Sequence, residues 1–324
     1  MDLSHHSLVR VQKQLEAAGL RTPLRETDCT APANGGRIKL KPENLQPTGS
    51  FKIRGASNAI SALSPDQRAR GVVAYSTGNH AQAVAMAARE ARVAATIVMS
   101  PDVPRYKLEA TRSFGAEILL ADPTSEARRH LAERYAVEKG LALIPPYDDY
   151  AVMAGQASIG IEIAADCVAA AVLVPIGGGG LISGIAAAIK AASPSTKVIG
   201  VEPEPENDAY LSFRSGKRIA LAAPSDSIAD AVKVQIVGEK TFPLIQQYVD
   251  DIVLVSEAEI MTAMVFAERH TGGSVEPAGA LAVAAALYGA WQSSEGDVIA
   301  VVSGGNIDAE RRATLALKYG NAGR

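Results

Sequence analysis

The chain has 324 residues, 48% of them hydrophobic and 21% charged, with a formal net charge of −3 and a pI near 6.0. This is the balance of an ordinary globular protein of two domains or one large one, and it argues against a nucleic-acid-binding surface. The two cysteines, Cys29 and Cys167, lack metal-ligand spacing, and neither a signal peptide nor an apolar run of about 18 residues occurs, so a reduced, cytoplasmic protein without a membrane span is expected.

Along the chain, short apolar runs alternate with longer Ala-rich helical stretches. The predicted strands are "RIKLK" (37–41), "GVVAY" (71–75), "AATIVM" (94–99), "AEILLA" (116–121), "AAVLVP" (170–175), "KVIGVE" (197–202), "DDIVLV" (250–255) and "VIAVVS" (298–303). Helical patterns lie between most of them, as in 78–91, 125–140 and 180–192. Buried parallel strands read as continuous apolar runs and need crossover helices between them. The expected fold is therefore α/β with mostly parallel sheets. The β–α units within 53–146 are expected to form a smaller domain, with 1–52 and 147–324 forming the larger one and the active site in the cleft between them.

Four motifs carry the chemistry. "ENLQPTGSFKIRGA" (43–56) places Lys52 at the seam between a turn and a helix, a setting that a surface lysine does not need. "STGNHAQA" (76–83) follows a strand and opens a helix. There the hydroxyls of Ser76 and Thr77, together with Asn79, His80 and free N–H groups, suit a substrate carboxylate; plain N-capping is the alternative. "LVPIGGGGLISG" (173–184) puts Gly177, Gly178, Gly179 and Gly180 between a strand and a helix, where backbone amides bind phosphate well. A tight turn is one alternative. Another is a dinucleotide fingerprint of Gly178, Gly180 and Gly184 with Glu202 as the ribose-binding acid, which leaves Lys52 unexplained. In "VVSGGNID" (301–308), Ser303 ends a strand and can face a ligand at the sheet edge; a capped turn is the alternative.

Together the four motifs resemble the fold-type II pyridoxal-phosphate enzymes, whose tryptophan synthase β-like fold has two open three-layer α/β/α domains. Within that family they are most similar to the threonine dehydratase, serine racemase and hydroxyaspartate dehydratase group. The resemblance runs from "RTPL" (21–24) to "SGGNID". It implies that Lys52 forms the Schiff base with pyridoxal phosphate and acts as the base. Phe51 lies along the pyridine ring, Asn79 bonds its phenolic oxygen, Gly177 to Gly180 hold the phosphate and Ser303 faces the pyridine nitrogen. Ser76, Thr77, Asn79 and His80 surround the substrate carboxylate. The implied reaction converts an L-β-hydroxy amino acid to a 2-keto acid and ammonia, in a homodimer.

Within the group, "GVEPEPENDAYLSF" (200–213) resembles the branch that binds a divalent cation. This implies Glu202, Glu206 (through its carbonyl) and Asp208 as ligands of Mg²⁺ or Ca²⁺; a solvated acidic loop is the alternative. Thr77 stands where racemases of this branch carry a serine as second base, which weakens a racemase reading. Arg128 stands where relatives place an arginine near the substrate, suited to a second carboxylate; an exposed helix arginine is the alternative. Ala231 and Val234 would give an apolar pocket wall, favouring threonine or phenylserine. No counterpart of the regulatory domain of biosynthetic threonine dehydratases follows "SGGNID", so isoleucine feedback is not expected.

Overall fold

The computed structural model describes residues 3–289 and 291–319. The chain begins with α1 (His5–Ala17), β1 (Arg25–Thr30), β2 (Arg37–Pro42) and α2 (Lys52–Ser61). Next come α3 (Pro65–Arg70), β3 (Val72–Tyr75), α4 (Asn79–Ala91), β4 (Ala95–Met99), α5 (Arg105–Ser113), β5 (Glu117–Leu120), α6 (Ser125–Lys139) and β6 (Ala142–Leu143). They are followed by α7 (Tyr150–Asp166), β7 (Ala171–Pro175), α8 (Gly180–Ala192), β8 (Lys197–Pro203) and α9 (Asp208–Ser215). The last elements are α10 (Thr241–Tyr248), β9 (Asp251–Val255), α11 (Glu257–Thr271), α12 (Pro277–Tyr288), β10 (Val298–Val302) and α13 (Ala309–Tyr319). No helix of the described residues is long and apolar enough to cross a membrane.

The strands form two sheets, ordered β1-β2-β10-β7-β8-β9 and β5-β4-β3-β6. Every pairing is parallel except β1 with β2. All the predicted strands are present. The sequence reading missed β1, an exposed edge strand of mostly polar residues (RETDCT), and β6, which is only two residues long. Neither carries the apolar run that marks a buried strand.

Alternation along each strand explains the layers. In β7, Ala171 and Leu173 pack with α11 and α12, whereas Val172 and Val174 pack with α7 and α8. In β3, Val72 and Ala74 pack with α2 and α4, and Val73 packs towards α6. Both sheets are thus covered on two faces, as the resemblance implied. Glycines let the helices approach closely: a Cβ on Gly184 of α8 would lie 2.3 Å from the Met153 carbonyl of α7, and one on Gly155 would lie 2.5 Å from the Arg54 carbonyl of α2.

A fully buried ion network joins β2, α2 and α7. The Arg54 guanidinium donates to Glu43 at 2.8 Å and to Glu162 at 2.6 Å, and Lys41 Nζ reaches Glu162 at 2.6 Å. All four side chains are 0% exposed, and their charges cancel, as dehydrated ions require. The clamp holds the helix that begins at Lys52 against the larger sheet's helical layer.

Topology also explains why distant motifs meet. β2, β10 and β7 are adjacent and parallel, so their C-terminal ends share one edge. From that edge the chain leads to Lys52, to Ser303 and to the glycine run, at the place where open α/β sheets bind ligands.

Candidate active site

A cavity of about 310 Å³ opens at this edge. Its wall includes Phe51, Lys52, Ser76, Thr77, Asn79, His80, Arg128, Gly177, Gly178, Gly179, Gly180 and Ser303. The structure therefore brings together every residue assigned above to cofactor or substrate. Glu202, Glu206 and Asp208 lie outside this wall.

Lys52 is the first residue of α2, and its Nζ donates to the Pro146 carbonyl at 2.7 Å and sits 5.0 Å from the Phe51 ring centroid. Burial lowers its pKa to about 8, opposed by the negative charge of Glu276. Near neutrality a useful fraction of the amine is therefore unprotonated and nucleophilic. The preceding turn is stitched to the end of β10: Phe51 N–H donates to the Ser303 carbonyl at 3.1 Å, and Ser50 pairs with Gly304.

The loop after β3 supplies the small polar groups. Ser76 Oγ accepts from Gly78 N–H at 3.1 Å, and α4 begins at Asn79, so the amides of Asn79 and His80 have no acceptor within the helix. His80 is buried, and its Nε2 is 2.9 Å from the Ile144 carbonyl. A carbonyl only accepts, so Nε2 carries the proton and Nδ1 is a lone pair, here without a partner. Burial, with a contribution from Lys52, drives the His80 pKa down to about 3, so the ring is neutral at physiological pH.

The glycine run lines the cavity, and protein atoms crowd it as well. Gly179 has φ +90°, the left-handed region. A Cβ on Gly178 would lie 2.4 Å from the Tyr147 ring, one on Gly180 would lie 2.8 Å from Tyr147 Cβ, and one on Gly177 would lie 2.9 Å from Val232 Cα. Close approach of protein, not only of a ligand, thus requires these glycines. The loop is pinned at the Gly178 carbonyl, which accepts from Thr241 Oγ1 at 2.7 Å and from Gly238 N–H at 3.2 Å. Its amides open α8 towards the cavity. Ser303 is buried and its hydroxyl donates to the Ala278 carbonyl at 3.3 Å.

Among the wall residues that escaped the sequence reading are Tyr147, Glu276 and Asn306. Glu276 Oε1 accepts from Asn79 Nδ2 at 2.6 Å, and Asn79 Oδ1 accepts from Asn306 Nδ2 at 2.7 Å. Burial raises the Glu276 pKa to about 7, opposed by the hydrogen bond from Asn79. In the sequence, Glu276 reads as an ordinary acid before a helix-starting proline. Only its burial beneath the cavity sets it apart.

Arg128 lines the cavity, but two of its nitrogens are engaged locally, with the Pro123 carbonyl at 2.7 Å and Ser125 Oγ at 2.9 Å. Burial lowers its pKa despite the Asp102 charge. Ala231 and Val234 form part of the wall, as anticipated, with Asp230 and Lys233 between and beside them.

The acidic stretch is not a solvated loop: Glu202, Glu206 and Asp208 are each at most 1% exposed. Glu202 accepts from the amides of Ala209 and Tyr210 at 3.0 and 2.7 Å, capping α9. This position and its absence from the cavity wall leave it no part in ribose binding. Glu206 Oε1 accepts from the amides of Val234 and Gln235 at 2.9 and 3.0 Å. Glu206 Oε2 and both Asp208 oxygens have no hydrogen-bond partner. Burial and mutual repulsion push Asp208 up to about 7 and Glu202 well above the usual range. Among the described residues no three His, Cys, Asp or Glu side chains converge as a ready metal site. A cation here would need backbone carbonyl and water ligands as well.

The description "Pyridoxal-phosphate dependent enzyme" belongs to the family profile that matches residues 15–304. L-threo-3-hydroxyaspartate ammonia-lyase of Saccharomyces cerevisiae is 43% identical over 296 residues, covering 91% of this chain and 90% of that relative. L-threonine ammonia-lyase of Thermotoga maritima is 43% identical over 298 residues, covering 92% and 74%. The solved structure of maize serine racemase matches with a TM-score of 0.89 at 34% identity, covering 98% of both chains. With a lysine, a glycine cradle and a serine gathered at one sheet edge, and with relatives of this similarity, the chain belongs to the family of pyridoxal-phosphate-dependent enzymes.

Proposed function

We propose that Lys52 is the residue that carries pyridoxal phosphate and that the cavity is where the substrate reacts. The enzyme is a pyridoxal-phosphate-dependent ammonia-lyase, converting an L-β-hydroxy amino acid of the threonine or serine type to a 2-keto acid and ammonia. The single observation that carries the site assignment is the Lys52 amine, with its pKa lowered to about 8, facing a cavity walled by a glycine-rich helix start. The residues present fit the cofactor: an amine for its aldehyde, helix-start amides for its phosphate, Ser303 for its ring nitrogen and Asn79 for its phenolic oxygen. Bound pyridoxal phosphate supplies the electron sink for charge developing at Cα.

The protein groups do the rest. The backbone amides at the start of α4 and the hydroxyls of Ser76 and Thr77 hold the substrate carboxylate, with the neutral His80 ring packed beneath and its Nε2–H committed to the Ile144 carbonyl. Lys52 Nζ, freed when the substrate amine takes its place on the cofactor, would take the proton from Cα. The β-hydroxyl would gain one proton on leaving as water, balancing the one lost from Cα, and a second water would hydrolyse the product to the 2-keto acid and ammonia. Thr77 stands where a second base would act in a racemase; its branched side chain restricts χ1 and supports elimination as the main outcome.

A second reading of substrate rests on Arg128: its place on the cavity wall would suit the extra carboxylate of hydroxyaspartate. The test is a keto-acid assay over serine, threonine, hydroxyaspartate and phenylserine. Threonine and serine are expected to turn over; turnover restricted to hydroxyaspartate would replace the primary reading with the second.

We further propose that Glu202, Asp208 and the Glu206 carbonyl hold Mg²⁺ or Ca²⁺, supported by the two buried oxygens of Asp208 that have no hydrogen-bond partner. The domain limits proposed are 53–146 and the remainder, acting as a cytoplasmic homodimer.

A further inference from the structure

The loops around the cavity are joined by one hydrogen-bonded chain of side chains, of which Glu276 and Asn306 have no role assigned above. Asn306 Nδ2 donates to the Thr48 carbonyl at 2.8 Å and to Asn79 Oδ1 at 2.7 Å. Asn79 Nδ2 in turn donates to Glu276 Oε1 at 2.6 Å, while Glu276 N–H donates to the Gly304 carbonyl at 3.1 Å. The donor directions are forced from the Thr48 end. The Thr48 carbonyl only accepts, so the nitrogen of Asn306 must face it. That same nitrogen meets Asn79, which must therefore turn its oxygen towards Asn306 and its nitrogen towards Glu276 Oε1. Asn79 therefore has its oxygen and one of its two Nδ2 hydrogens spoken for, and keeps one Nδ2–H for the cavity it lines.

Two glycines show that the chain is tightly built. A Cβ on Gly304 would come within 2.3 Å of Glu276 Oε1 and 3.2 Å of Asn79 Nδ2; one on Gly49 would come within 2.3 Å of Asn306 Oδ1. An Asn side chain without these partners can rotate its amide by half a turn and present oxygen instead of N–H. Oxygen facing the cofactor's phenolic oxygen would repel it.

We propose that Glu276 is a positioning residue of the reaction, acting through Asn79: together with Asn306 it fixes the Asn79 amide so that Nδ2–H, not oxygen, meets the cofactor ring. The inference rests on the reading that Lys52 carries the cofactor. Glu276 does not itself touch the reacting atoms in this arrangement.

The experiment is a double-mutant cycle on purified protein loaded with pyridoxal phosphate, read by the visible absorbance band and by cofactor affinity. Glu276→Ala is expected to weaken cofactor binding about tenfold and to change the band as Asn79→Ala does. The double variant is expected to match either single one, because the two residues act as a unit. Glu276→Gln, which keeps an acceptor oxygen, is expected to restore the wild-type band and most of the affinity. If Glu276→Ala does not fold, Glu276→Gln and Asn306→Ala decide: the former should resemble wild type and the latter Asn79→Ala. A wild-type band in Glu276→Ala or Asn306→Ala, losses that simply add, or Glu276→Gln as impaired as Glu276→Ala would overturn the inference alone. Wild-type protein that takes up no cofactor would instead overturn the assignment of Lys52 on which it stands.

Discussion

The backbone N–H of Phe51 donates to the carbonyl of Ser303 at 3.1 Å, so the residue beside the reactive lysine is tied to the residue assigned to the pyridine nitrogen. Residues about 250 positions apart are thereby held in one register by the β2–β10 pairing beneath them. Lys52 and Ser303, the residues proposed to meet the cofactor, are thus set by the same stretch of sheet.

Uptake of pyridoxal phosphate by the cofactor-free protein should be pH-dependent. Burial holds the Lys52 pKa at about 8, below which the amine is mostly protonated and unreactive. The initial rate, followed by absorbance, is expected to rise from about pH 6 to about pH 9 and level above. A rate already flat across that range would mean that Lys52 is not the reacting amine. Lys52→Ala is expected to take up no cofactor covalently and to lose activity by roughly 10²–10⁴-fold or more.

Gly178→Ala should be severe. The new methyl would lie 2.4 Å from the Tyr147 ring, forcing either the loop or the ring to shift, at a cost of about 1–3 kcal/mol. Thermal unfolding is expected to show the loss, and Tyr147→Ala in the same chain should relieve part of it. If Gly178→Ala melts like wild type, the crowding described here is not what keeps that position small.

His80 should contribute to acid sensitivity. Its pKa is about 3 when folded and near 6.5 when unfolded. Between those values the unfolded chain binds a proton that the folded one does not, so the stability is complete above about pH 6.5 and is lost as pH falls towards 3. His80→Asn is expected to flatten the pH dependence of denaturant unfolding in that window. An unchanged profile would place the acid sensitivity elsewhere.

Chelation should lower thermal stability if the buried acids hold a cation. Glu206 Oε2 and both Asp208 oxygens lack partners, so a divalent ion that binds only the folded state raises its stability by mass action. Wild-type protein is expected to melt several degrees lower after chelator treatment and to recover with Mg²⁺ or Ca²⁺. Asp208→Asn should respond little to either. Equal melting with and without chelator would count against the cation.

Replacing Arg128 should separate the two substrate readings. Arg128→Ala is expected to raise KM for hydroxyaspartate by about tenfold or more while altering threonine turnover only slightly. Equal effects on both substrates would show that Arg128 shapes the loop of Pro123 and Ser125 rather than contacting a substrate carboxylate.

Much of this molecule was legible from its sequence. Buried strands such as β7 and β10 announced themselves as unbroken apolar runs, and Lys52, Asn79 and Ser303 stood out because each follows or precedes a strand–helix seam. Less visible was whatever depends on the partner rather than the residue. β1 is polar and exposed, so only its pairing with β2 makes it a strand. Glu276 looks like any acid before a helix, and only the fold brings Asn79 to it. The four glycines were placed at the cavity, but their crowding by Tyr147 and Val232 was not visible, because those residues lie far away in the chain.

The four dehydrated ions behind Lys52 also limit how this region can change over time. Lys41, Arg54, Glu43 and Glu162 are all out of reach of solvent, so added salt should barely touch them, and loss of any one leaves an unbalanced charge in a dry interior. Sequence drift there is expected to proceed by paired exchanges, cation with anion, because removal of one charge alone strands its partner.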